Sequence, residues 1–206
     1  METIADVCCQ HDLWLISDEV YDTQVWSGIH ISPRSLPQMA ERTLVIGSMS
    51  KSHAMTGSRI GWVVGPEDMI AHMIHLATNT TYGVAGFVQD AALFALGQGT
   101  ELEQNIAAPF AQRRDIALDI LQDFPKVAAI APQGAMYLML DIRATGLSGI
   151  EFANRLLDDH HIAVMPGESF GQSAAGHLRV AMTIPDAAFG AALRTLCAFA
   201  TQMADA

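Results

Sequence analysis

The sequence predicts an α/β protein, and three observations carry that expectation. Short apolar runs, Leu13–Ile16, Thr43–Ile46 and Ile60–Val64, have the length and composition of strands buried on both faces, as in a mainly parallel sheet. Longer stretches repeat apolar residues at helical intervals, as Ile106, Phe110, Ile116 and Ile120 do. Polar clusters stand close to the ends of the apolar runs, where open α/β sheets gather their ligands.

Half of the 206 residues are apolar and 16% are charged, which excludes a disordered chain and permits one large domain or two small ones. The formal charge of −11 argues against nucleic acid and anionic membrane surfaces as partners. No apolar run reaches the roughly 20 residues that span a bilayer. The opening Met1–Asp6 has neither the basic region nor the apolar stretch of a signal peptide. Cys8, Cys9 and Cys197 form no disulfide framework and no metal-type spacing, so a reduced, cytoplasmic setting is expected.

Taken in order, the first dozen residues read as an amphipathic helix with Ile4, Val7 and Cys8 on one face. Leu13–Ile16 is the first strand and ends in Ser17, Asp18 and Glu19. Gly28, Pro33 and Pro37 make 27–37 a loop. Thr43–Ile46 runs into Gly47-Ser48-Met49-Ser50-Lys51, and Ile60–Val64 is stopped by Gly65-Pro66. Helices are predicted from Pro66 to about Thr78, from Gly86 to Leu96 and from Thr100 to Asp123. Pro109 should kink or interrupt the last of these, and Pro125 closes it. A domain change is placed there, giving domains 1–109 and 110–206. Beyond it come strands at Ala135–Ile142, Ile162–Met165 and Leu178–Met182. Helices are expected at Ser148–Asp158 and Asp186–Met203, with Asp186 a candidate N-cap.

Three clusters carry chemistry: Ser17-Asp18-Glu19-Val20-Tyr21, Ser48-Met49-Ser50-Lys51 with Gly57-Ser58-Arg59-Ile60-Gly61, and Gly176-His177-Leu178-Arg179-Val180. A lysine beside a buried strand end is costly unless a partner or covalent chemistry relieves its charge. Schiff-base formation with a carbonyl is one such chemistry. Two serines and an arginine around it suit a phosphate. A carbonyl compound bearing a phosphate and bound to lysine points to pyridoxal phosphate.

Each of these residues also has an ordinary reading. A lone lysine after a strand is usually a solvated surface residue, Asp18 could cap a turn, Tyr21 could be packing, and Arg59 and Arg179 could be ion-pair partners. His72 and His75 lie three apart on a helix, but no third metal ligand accompanies them. His160-His161 read as a helix-end feature. Met165-Pro166-Gly167-Glu168 reads as a turn, and Met136, Met139 and Met165 as core or pocket lining.

The run Ser48-Met49-Ser50-Lys51-Ser52-His53-Ala54-Met55-Thr56-Gly57-Ser58-Arg59-Ile60-Gly61-Trp62 resembles the cofactor-lysine signature of class I/II, fold type I aminotransferases. Ser17–Tyr21 is similar to the pyridine-binding segment of the same family, and the match runs from about residue 1 to about residue 200. The resemblance implies an incomplete large domain with a mainly parallel sheet and a small C-terminal α/β domain. It implies pyridoxal 5′-phosphate held by Lys51, which also serves as general base. Asp18 would pair with the pyridine nitrogen and Tyr21 with the phenolic oxygen. Ser48, Ser50 and Arg59 would bind the phosphate, and Arg179 would clamp the substrate carboxylate. Amino acids and 2-oxo acids are the implied substrates, and a homodimer the implied full-length assembly. Ser35–Thr43, Lys51–Gly57 and Ser173–His177 resemble arginine–pyruvate transaminases in particular.

Complete members of the family supply a phosphate turn, a stacking aromatic and an asparagine on the N-terminal side. Only residues 1–17 precede Asp18, so the chain is expected to be a fragment with weak or no cofactor retention alone. A β-lyase or decarboxylase on the same fold would keep Lys51, Asp18 and Arg179. An inactive truncated remnant is a further alternative. A regulatory domain of this type would carry a DNA-binding extension, which this acidic chain lacks.

Overall fold

Apolar and β-branched residues set the strands of the N-terminal part. In the computed structural model, which describes residues 1–205, these are β1 (Leu15–Asp18), β2 (Thr43–Ser48) and β3 (Gly61–Val64), in that spatial order. β1 and β2 are parallel, from Leu15 opposite Thr43 to Asp18 opposite Ile46. β2 and β3 are antiparallel, with Ser48 opposite Gly61. α1 (Glu2–Gln10) packs Ala5 and Cys8 against Met39. The short α2 (Met49–Ser52) carries Lys51, and α3 (Glu67–Thr80) and α4 (Gly86–Leu96) follow β3.

The chain divides into two units within α5 (Thr100–Gln122), between Ala107 and Ala108. Pro109 lies inside α5, which continues through it without a break. The bond it removes is the one to Asn105, an exposed residue whose carbonyl can turn to solvent.

The second unit holds an antiparallel sheet in the order β4 (Ala128–Ile130), β5 (Tyr137–Asp141), β7 (His177–Ala181), β6 (Met165–Pro166). α6 (Gly149–His160) and α7 (Asp186–Ala204) bring Phe152, Leu156, Leu193 and Leu196 against Leu138, Leu140, Leu178 and Val180. Burial of that order contributes about 1.5–3 kcal/mol for each large apolar side chain. Alternation along the strands leaves Tyr137, Met139 and Arg179 on the other sheet face.

Several local expectations need correction. β1 starts at Leu15, and Leu13, Trp14 and Ile16 are exposed, Ile16 to 64%, so this strand is not covered on both faces among the described residues. Phe87, Leu93 and Phe94 of α4 are exposed as well. β6 is two residues long because Pro166 offers no N–H and a 3-10 turn starts at Gly167. β4 is absent from the sequence expectation because its three residues are too few to show a period. Asp186 does not cap α7; Pro185 holds that position, and Asp186 accepts a hydrogen bond from Arg113 Nε at 2.7 Å. Ser148 does cap α6, accepting from the Glu151 amide at 3.1 Å.

Candidate active site

Strand direction alone brings five of the predicted residues to one sheet edge. Asp18 ends β1, Ser48 ends the parallel β2, and Ser50 and Lys51 follow at once on α2. β3 runs back, so Arg59 stands just before its start at the same edge. Asp18 is in register with Ile46, and Ile46 and Ser48 share a face, so the carboxylate is on that face too. Tyr21 lies three residues past Asp18, in the turn after β1.

That face opens into a cleft of about 430 Å³ lined by Ser48, Ser50, Arg59, Gly61 and Ile46 among others. Ser48 Oγ accepts from the Ser50 amide at 3.0 Å and lies 2.8 Å from Ser50 Oγ. Arg59 adopts a left-handed backbone (φ 52°, ψ 49°), rare outside glycine, and donates from NH1 to the Thr56 carbonyl at 3.0 Å. A Cβ on Gly61 would meet the Gly47 carbonyl oxygen at 2.6 Å, so glycine is required where β3 borders the cleft. Trp62 covers Gly47 on the opposite face in the same way. Two hydroxyls and a guanidinium around a concave opening fit a phosphate; Lys51, whose amine fits an aldehyde, follows Ser50 on α2, and neither it nor Asp18 lines this cleft. The Lys51 ammonium makes no ion pair among the described residues.

Glu19, although it neighbours Asp18, is occupied elsewhere. It accepts from Ser32 Oγ at 2.7 Å and bonds His30 Nε2 at 2.8 Å. Burial alone would raise its pKa, but hydrogen bonds from Ser32, His30 and Ser17 outweigh that and hold it below the ordinary value.

Two buried polar residues outside the predicted set support the turn that carries Lys51. Gln24 donates from Nε2 to the Lys51 carbonyl at 3.3 Å, and the buried His53 bonds Ser52 Oγ at 2.8 Å. In the second unit the Arg179 guanidinium lies 4.3 Å from the Tyr137 ring centroid and 4.4 Å from that of Phe170. The two rings hold the guanidinium by cation–π attraction. His72 and His75 are exposed on α3, and no group of three metal-binding side chains occurs among the described residues.

The profile of the family described as aminotransferase class I and II matches residues 1–196. The chain belongs to this family. An arginine–pyruvate transaminase of Pseudomonas aeruginosa is 48% identical over 183 residues, covering 89% of this chain and 47% of the relative. An aspartate aminotransferase of Geobacillus stearothermophilus is 35% identical over 178 residues, 83% of this chain and 45% of the relative. The crystal structure of an aromatic aminotransferase from Pyrococcus horikoshii superposes with a TM-score of 0.92 at 30% identity, covering 98% of this chain and 54% of the other. This aminotransferase-family chain thus spans about half the length of its relatives. Its fold is that of the fold type I aminotransferases, a family dependent on pyridoxal phosphate. No helix among the described residues is long and apolar enough to cross a membrane.

Proposed function

We propose that this chain carries the lysine-bearing part of a pyridoxal-phosphate site that transfers an amino group between an amino acid and a 2-oxo acid. The convergence of Asp18, Ser48, Ser50, Lys51 and Arg59 on one sheet edge carries the reading. Pyridoxal phosphate, when bound, supplies an aldehyde for the amine and a ring that withdraws electrons from the substrate Cα.

The chain's own groups do the rest. Lys51 would hold the cofactor through its ε-amine, and the same amine would serve as the base that moves the substrate Cα proton. Asp18 keeps a proton on the ring nitrogen, because a carboxylate stabilises the charged form. Tyr21 donates to the phenolic oxygen. Ser48, Ser50 and Arg59 grip the phosphate. Arg179 binds the substrate α-carboxylate with two parallel hydrogen bonds, its plane set by Tyr137 and Phe170. Residues 1–109 belong to the large cofactor-binding domain and 110–206 to the small domain, and the full-length form is a homodimer.

Arginine as donor and pyruvate as acceptor is the pair supported by the 48% identical relative. The test supplies the protein with pyridoxal phosphate, arginine and pyruvate and measures alanine and the arginine-derived 2-oxo acid. Formation of both supports the reading. Ammonia or carbon dioxide without alanine indicates a lyase or a decarboxylase instead, and no product at all argues for an inactive remnant.

A further inference from the structure

Two buried polar side chains hold the turn that carries Lys51, and the proposed chemistry uses neither. Gln24 is 1% exposed, and its Nε2 reaches the Lys51 carbonyl at 3.3 Å across 27 positions of sequence. Its Oε1 is buried without a hydrogen-bond partner among the described residues. Burying an amide with an unmet acceptor costs stability, and an aliphatic side chain would fill the place without that cost.

His53 is 7% exposed, and its Nδ1 lies 2.8 Å from Ser52 Oγ. Ser52 Oγ in turn donates to the Ser48 carbonyl at 3.2 Å. The serine's single proton is used there, so the imidazole Nδ1 is the donor of the pair. The other ring nitrogen faces Glu103 Oε1 at 3.8 Å. One bond thus ends on Lys51 itself and one chain of bonds on Ser48, the N-cap of α2. Four residues of helix are too few to hold their own shape, so these side chains decide how the turn is presented.

We propose that Gln24 and His53 are positioning residues, which fix the direction of the Lys51 amine through the Lys51 carbonyl and through Ser52. This rests on the reading of Lys51 as the cofactor lysine. The chain has two lysines, Lys51 and Lys126, and Lys126 is paired with Asp205 in the second unit, so it serves as an internal reference. In the test, excess pyridoxal phosphate condenses with an amine, expelling water, and borohydride fixes the product as a secondary amine. Peptide mass analysis then gives the ratio of adduct at Lys51 to adduct at Lys126.

Gln24→Met and His53→Leu should each lower that ratio about fivefold, the factor set by one hydrogen bond of ordinary net strength. His53→Asn, whose amide can donate in place of Nδ1, should restore it to within about twofold of the parent. An unchanged ratio in Gln24→Met and His53→Leu overturns the proposal, as does a loss that His53→Asn fails to restore. If the parent chain itself shows no preference for Lys51, the assignment of the lysine falls and the positioning role falls with it. A parent preference that survives the variants removes the positioning role alone.

Discussion

Asp18 is the register partner of Ile46 across the parallel strands β1 and β2, which puts its carboxylate on the same sheet face as Ile46, two residues short of Ser48. On the proposed reading a carboxylate there would keep a proton on the cofactor's ring nitrogen, and Ser48, Ser50 and Arg59 would hold its phosphate. Asp18→Asn keeps the shape and removes the charge. We expect kcat/KM for transamination to fall by about 10- to 100-fold, the scale of one charge-assisted hydrogen bond. Steady-state kinetics of the two proteins check this; equal values would detach Asp18 from the chemistry.

Arg179 makes a second prediction. Lysine keeps the charge but cannot present two parallel donors or stack between Tyr137 and Phe170. Arg179→Lys should raise KM for the amino acid by about tenfold or more. Phe170→Leu should raise it less, about two- to fivefold, because one cation–π contact is worth about 0.5–1 kcal/mol at a partly exposed site. The reverse ranking would mean that the rings, and not the fork, define the site.

Acid stability follows from two carboxylates of the second unit. Hydrogen bonds from the Arg143 side chain hold Asp141 well below its ordinary 3.8, at about 2. The Glu168 carboxyl is held below its ordinary value by its own backbone amide and by those of Gly149 and Gly176, whose amides reach Oε1 at 2.8 and 3.1 Å. Both pKa values are lower folded than unfolded, so the unfolded chain takes up protons first as pH falls. The stabilisation is complete above the unfolded pKa values and is lost for Asp141 as pH drops from 3.8 towards about 2. Urea midpoints measured down this range should fall. Asp141→Asn should flatten the fall, and salt should weaken the Asp141 contribution because Arg143 is exposed.

Thiol chemistry separates the cysteines. Burial pushes the Cys197 thiol up to about 12 inside the core of the second unit. Cys8 is buried and Cys9 half-buried. Iodoacetamide at mildly alkaline pH should modify Cys9 first and reach Cys197 only in denaturant. Peptide mapping of alkylated protein checks the order, and early labelling of Cys197 would show that the second unit opens readily.

How much of this was legible in the sequence depends on how local each feature is. The helix Gly86–Leu96 and the strand from Gly61 are bounded by glycines and a proline, residues that punctuate any chain. Lys51, Ser48, Ser50 and Arg59 belong to one contiguous motif, so sequence alone could place them together. Tyr137 and Phe170 meet Arg179 only through the pairing of β5 and β7 and the turn after β6, and no spacing reveals that. Gln24 reaches Lys51 by the return of the chain along β2, and His53 stood inside the motif with no outward sign of burial. The exposure of Ile16 was illegible for another reason. An apolar run states what a strand needs on its faces, not which residues supply it.

A pyridoxyl peptide map of the unmodified sequence tests the role of the Lys51 amine most directly. After exposure to pyridoxal phosphate and borohydride, the adduct should sit on the peptide containing Lys51, with Lys126 labelled only at the level of an ordinary surface amine. Equal labelling of both lysines, or an adduct confined to Lys126, would contradict it.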